Sequence, residues 1–142
     1  MEVRVGPFDP VAHVRSRDHY EAVRREAQLV ALAPDATPQR LEGLIARLER
    51  QFPPSPVDEI ADRAYQAGQE TYTAVVTIPD ELVETALAAC DELEALLDEL
   101  DRWAVQADLL PAPDDVRAYR TAYLAQAREQ LRRPSGAGTT AR

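Results

Sequence analysis

The sequence predicts a mostly α protein: a helical bundle with a long C-terminal antiparallel helix hairpin and a small two-stranded β element at about residues 2–6 and 71–78. Three observations predict it. Apolar residues recur every three or four positions through most of the chain, one run near the middle switches to a period of two, and prolines cluster between the periodic stretches.

Taken in order, Val3 and Val5 alternate with Glu2 and Arg4 and stop at Gly6-Pro7, a brief edge strand followed by a turn. Ser16 stands where an N-cap belongs, and Tyr20, Val23, Ala27 and Val30 carry a helix over about 17–32. Pro34-Asp35 breaks it. Thr37-Pro38 then pairs a capping hydroxyl with a proline suited to a first helical position, and Leu41, Leu44, Ile45, Leu48 and Phe52 form one apolar stripe.

Pro53-Pro54-Ser55-Pro56 is a rigid connector, because proline lacks the N–H that a helix needs. A helix resumes over 57–67 through Val57, Ile60, Ala61, Ala64 and Tyr65, with Gly68 available for a left-handed C-terminal cap. Thr71 to Ile78 alternates threonines with Tyr72, Ala74, Val76 and Ile78 and is rich in β-branched residues, the best strand in the chain. A strand pair is marginal alone, so the free edge of the second strand should be covered by another element or shared across a symmetric dimer.

Pro79-Asp80-Glu81 opens a long helix whose apolar stripe runs from Leu82 through Cys90, Leu93, Leu96, Leu97 and Leu100 to Trp103. Leu109-Leu110-Pro111 ends it, and Val116, Tyr119, Tyr123, Ala127 and Leu131 carry the last helix to about Arg132. The two should pack antiparallel, with the leucines buried and the intervening carboxylates exposed. Residues 1–133 read as one domain and 134–142 as a disordered tail.

Composition narrows the function. The chain has 142 residues and a net charge of −9, from 25 acidic residues against 16 basic ones, every one of them Arg. An acidic domain with no basic stripe is a poor partner for a phosphate backbone, so nucleic-acid binding is not expected. No run is long and apolar enough to span a bilayer and the first residues lack a signal-peptide core, which predicts a cytoplasmic protein without membrane association.

Residues that could carry chemistry have simpler readings. His13 and His19 are six apart, a spacing that does not place two metal ligands on one helix face, and the lone Cys90 falls inside an apolar stripe, where its thiol should be hard to ionise. Asp91, Glu92, Glu94, Asp98, Glu99 and Asp101 occupy the faces left free by the leucines and read as solvated. No phosphate loop, dinucleotide fingerprint or nucleophile elbow is present. Neither a catalytic site nor a cofactor or metal site is expected. Trp103, Tyr119, Arg120 and Tyr123, near the junction of the last two helices, are of the types enriched in binding hot spots and are the candidate partner-binding residues, with core packing as their plainer role.

The order Ser16-x-Asp18-His19-x-Glu21, Thr37-Pro38-x-Arg40-Leu41, Leu96-Leu97-Asp98-Glu99, Leu109-Leu110-x-x-Pro113 and Arg120-x-x-Tyr123-Leu124 resembles a family of small helical proteins from actinobacteria. Ala27 departs from it, where an aromatic is more typical. The resemblance implies association with histidine-kinase-like ATP-binding proteins and with the antagonists of anti-sigma partner switching, and it brings no enzymatic activity with it. The expected function is therefore a non-catalytic regulatory or adaptor protein, possible homodimer included, with an ATP-binding anti-sigma type regulator as partner. The alternative is a small-ligand-sensing module with a pocket between the helices and the strand pair.

Overall fold

The computed structural model describes residues 1–30, 36–51, 55–106 and 111–133. The predicted breaks at Pro34-Asp35 and Pro53-Pro54, the helix end at Leu109-Leu110 and the tail from Pro134 lie outside the described residues. The order of elements is β1 (Glu2–Phe8), α1 (Pro10–Val30), α2 (Ala36–Gln51), α3 (Pro56–Gln66), β2 (Tyr72–Thr77), α4 (Val83–Gln106) and α5 (Asp114–Arg132), with a short 3-10 turn, Asp80–Leu82, leading into α4. This is the predicted class, mostly α with a two-stranded β element. Among the described residues no helix is long and apolar enough to cross a membrane.

Several boundaries differ from the sequence reading; α2 begins at Ala36, so Thr37 stands inside the helix and not at its cap. Helix α1 begins at Pro10, not after Ser16, because Asp9 supplies the cap: its carboxylate accepts the Val11 N–H at 2.9 Å and its carbonyl accepts the Ala12 N–H at 3.1 Å. Pro10 then takes a first-turn position whose missing N–H costs nothing. Strand β1 continues past Gly6-Pro7 to Phe8, with one extra residue on β1 between the pairs Val5↔Ala74 and Phe8↔Tyr72, a bulge that lets the strand resume pairing. Helix α3 ends as expected: Gly68 has φ +68, the Gln69 N–H reaches the Ala64 carbonyl and the Gly68 N–H the Tyr65 carbonyl, the paired closure that a left-handed glycine permits.

The strands are antiparallel although three helices separate them in sequence. Met1 and Ile78 exchange both backbone bonds, at 2.9 and 2.8 Å, so the residue pairs that bond across the sheet are Met1↔Ile78, Val3↔Val76 and Val5↔Ala74. The inner sheet face, Val3, Val5, Tyr72 and Ala74, packs with Val57, Ala61 and Ala64 of α3 and Ala127 and Leu131 of α5. A second apolar cluster lies farther along the bundle, where Val23, Leu44, Ile45 and Leu48 meet Leu96, Leu100, Trp103 and Ala104.

Helices α4 and α5 run antiparallel, as the ion pairs show: moving forward along α5 from Arg120 to Arg128 moves backward along α4 from Asp101 to Glu94 and Asp91. Leu96 and Leu100 are buried, with Leu93 and Leu97 partly so. Leu82, read as part of the same stripe, is instead 48% exposed, because the helix proper starts one residue later, after the 3-10 turn. The acidic face of α4 is also not wholly solvated. Arg128 reaches Asp91 and Glu94, both at 2.8 Å, and bonds the Cys90 carbonyl. Cys90 itself is half-buried, and loss of solvent pushes its thiol pKa up.

Candidate functional site

The four residues singled out in the sequence go to three different places. Trp103 is buried in the α1–α2–α4 cluster, 4% exposed. Arg120 pairs with Asp101 at 2.7 Å, and the other carboxylate oxygen of Asp101 accepts the Ala112 N–H at 3.4 Å, which ties the start of α5 to the end of α4. Tyr119 and Tyr123, one turn apart on α5, face the sheet instead. Helix phase explains the separation, since Tyr119 and Arg120 differ by about 100° around the axis. Because the Arg120–Asp101 pair keeps only 15% and 14% of its side-chain surface, a double-mutant cycle of Arg120→Ala with Asp101→Ala should give a coupling of about 1–3 kcal/mol in urea unfolding. Coupling near zero would show the pair to be incidental.

The structure assembles a polar chain that no local pattern announces. Asp58 of α3, His13 of α1, Tyr119 of α5 and Tyr72 of β2 lie in one line. Nε2 of His13 is 3.0 Å from Oδ1 of Asp58, a bent contact in which the carboxylate sits off the ring N–H axis. Nδ1 lies 2.8 Å from the Tyr119 hydroxyl, which in turn bonds the Tyr72 hydroxyl. In the tautomer that carries its proton on Nε2, toward Asp58, Nδ1 accepts from Tyr119 and the Tyr119 oxygen is left to accept from Tyr72. Phe8 closes the group from the bulged end of β1, edge-on to Tyr119 at 5.5 Å and stacked on Tyr123 at 6.1 Å.

The order Asp, His, hydroxyl has the make-up of a nucleophile relay, and burial works against free ionisation of its hydroxyl. Burial first of all, and then the bond with Tyr72, drives the Tyr119 phenol pKa far above its usual range, so the hydroxyl stays protonated. Tyr72 and Tyr123 shift upward too, each chiefly through burial. Asp58 stays ionised: His13 first, and then the Ser55 N–H bonded to its Oδ2 at 2.9 Å, hold its carboxyl below the usual value against partial burial. Burial and the bond with Tyr72 both favour the protonated form of the Tyr119 hydroxyl.

The buried phenols should limit the fold at alkaline pH. The folded pKa values of Tyr72 and Tyr119, and that of Tyr20 against the other cluster, pushed up to about 12 chiefly by burial, lie above the unfolded value of about 10, so the stability they contribute is complete below pH 10 and is lost as pH rises through the folded values. Melting temperature should fall steeply above about pH 10, with tyrosinate absorbance appearing together with unfolding. Tyr119→Phe, which strips a partner from both His13 and Tyr72, should cost about 1–3 kcal/mol at neutral pH. A melting temperature flat to pH 12 would contradict the burial of these groups.

The second feature is an asymmetry between the two sheet edges. The Arg4 and Gly6 N–H groups point away from β2, and α5 covers them: Gln130 Oε1 accepts the first at 3.3 Å and Gln126 Oε1 the second at 2.9 Å. On β2 the residues turned away from β1 are Thr73, Val75 and Thr77. All three side chains are exposed, Val75 by 41%, and their outward backbone groups meet no partner among the described residues.

Among the described residues no group of three His, Cys, Asp or Glu side chains could hold a metal ion. A small cavity of about 20 Å³, room for one water-sized molecule, lies between α4 and α5 beside Glu94, Leu97, Asp98, Arg120, Thr121 and Leu124, away from the strand pair. No family, curated protein or solved structure matches this chain.

Proposed function

We propose that this chain is a non-catalytic adaptor that works by protein–protein contact, in signalling of the anti-sigma partner-switching kind to which its sequence bears a resemblance. The observation that carries the reading is the β2 edge: a row of outward N–H and C=O groups with exposed, uncharged side chains is a template for pairing with another chain. The reactive-looking residues support it from the other side. Asp58, His13, Tyr119 and Tyr72 are linked in series and burial keeps the phenols protonated, so the chain of side chains braces four elements together.

The expected partner is an ATP-binding regulator of the histidine-kinase-like class. Tagged full-length chain, purified from its native host and analysed by mass spectrometry, should retain such a protein, and the purified pair should bind in calorimetry. Retention of no ATP-binding regulator, together with turnover of a metabolite by the purified chain, would overturn the reading.

A further inference from the structure

We infer that the open edge of β2 receives β2 of a second copy of this chain, antiparallel about a two-fold axis at Val75, making a four-stranded sheet in the order β1-β2-β2-β1. The inference rests on the contact reading above and names the occupant of that edge.

The run Thr73-Ala74-Val75-Val76-Thr77 is self-complementary on its outward positions. Turned about Val75, it sets Val75 opposite Val75 and each Thr73 opposite a Thr77. Because the bonded pairs within the sheet are Val3↔Val76 and Val5↔Ala74, the N–H and C=O of Thr73, Val75 and Thr77 all point outward, so each new pair can exchange both backbone bonds. Threonine facing threonine and valine facing valine are favourable cross-strand neighbours.

The seam also lacks the usual protection. Edges that must stay single carry charge, proline or a bulge, and Thr73 to Thr77 has none of these, while the bulge and the glutamine cover both belong to β1. At the centre of the seam charge does not oppose the pairing. The charged residue level with Val75 is Arg4, one strand back, so the two Arg4 side chains would stand three strand spacings apart, about 14 Å. That exceeds the screening length of about 8 Å at physiological salt. A two-fold dimer would present every other surface twice, giving a signalling partner bivalent attachment.

The seam is short compared with a standard interface, so assembly should depend on concentration. In light scattering from about 1 µM to about 1 mM, the mass should climb from 15.8 kDa toward twice that value and hold when salt is raised. Over the same range the Thr73, Val75 and Thr77 amides should slow in hydrogen exchange by about tenfold or more. Val75→Lys, and Thr73→Pro, which removes an outward N–H and leaves the β1 ladder intact, should each weaken association by about 100-fold or more with unchanged circular dichroism.

A mass fixed at 15.8 kDa at the highest concentration overturns the inference, as does a dimer in which those amides still exchange freely. The exchange measurement uses the wild-type chain, so it decides even if both variants misfold. A monomer that still captures the ATP-binding regulator ends self-pairing and leaves the adaptor reading standing; a dimer that captures none and turns over a metabolite does the reverse.

Discussion

Replacing Trp103 by alanine is expected to cost about 3–5 kcal/mol, as a large fraction of the stability of a domain that has about 5–15 kcal/mol to lose. Trp103 is 4% exposed and touches the cluster built from Val23 of α1, Leu44, Ile45 and Leu48 of α2, and Leu96 and Leu100 of α4. These side chains are the apolar attachment of α2 to the bundle, so the cavity left by the indole has walls on three helices and cannot be filled by a shift of one. At about 2–4 °C per kcal/mol for a chain of this size, the melting temperature should drop by roughly 10 °C. The control lies two residues away: Val105 is 59% exposed, and Val105→Ala should stay within about 0.5 kcal/mol. A Trp103→Ala variant as stable as its control would mean that the indole points to solvent and is free to meet a partner, as the hot-spot reading of the sequence allowed.

Elements were legible where a periodic stripe and its punctuation agreed. The apolar stripe of α2, the Gly68 closure of α3 and the period-two run of β2 each follow from local chemistry, and the alternation of β2 also places Thr73, Val75 and Thr77 on the outer side. The start of α1 failed because two capping signals compete within seven residues. Ser16 precedes the clearer apolar spacing, but Asp9-Pro10 offers both a cap and a ready-made first turn, and the chain uses the earlier one.

The polar chain was beyond local reading for a different reason. His13 and Tyr119 are 106 positions apart, Tyr72 and Tyr119 are 47 apart, and Asp58 reads as an ordinary first-turn acid of α3, which it also is. Only the packing of α1 against both α3 and α5 brings them together. The same applies to the acidic face of α4. Asp91, Glu94 and Asp101 have the helical phase of a solvated surface, and their pairing with Arg128 and Arg120 depends on the neighbour across the hairpin.

Gly6→Ala is expected to be as damaging as the loss of Trp103, and by backbone geometry alone. Gly6 has φ +119, a region closed to residues with a side chain, and a Cβ built there would lie 2.6 Å from the Tyr72 carbonyl oxygen and 2.9 Å from the Thr73 Cα. Both obstacles are backbone, so no rotamer change relieves them. The strand must lift away from β2 at the bulge, or the Gly6 N–H must leave Gln126; either way the strain and lost contacts should total about 3–5 kcal/mol. Phe8, two residues on, would shift from its place against Tyr119 and Tyr123, so near-ultraviolet circular dichroism should change along with stability. Gly43 provides the contrast. A Cβ there meets nothing within 4 Å, and in the exposed interior of α2 alanine should add about 0.5–1 kcal/mol in urea unfolding. Since a Cβ at Gly6 would press on Tyr72 and Thr73, Gly6→Ala should also weaken any pairing at Thr73 to Thr77, while Gly43→Ala leaves it unchanged. Equal, small effects at the two glycines would show that β1 is not held against β2 in this register, and the outward set Thr73, Val75 and Thr77 would lose its basis.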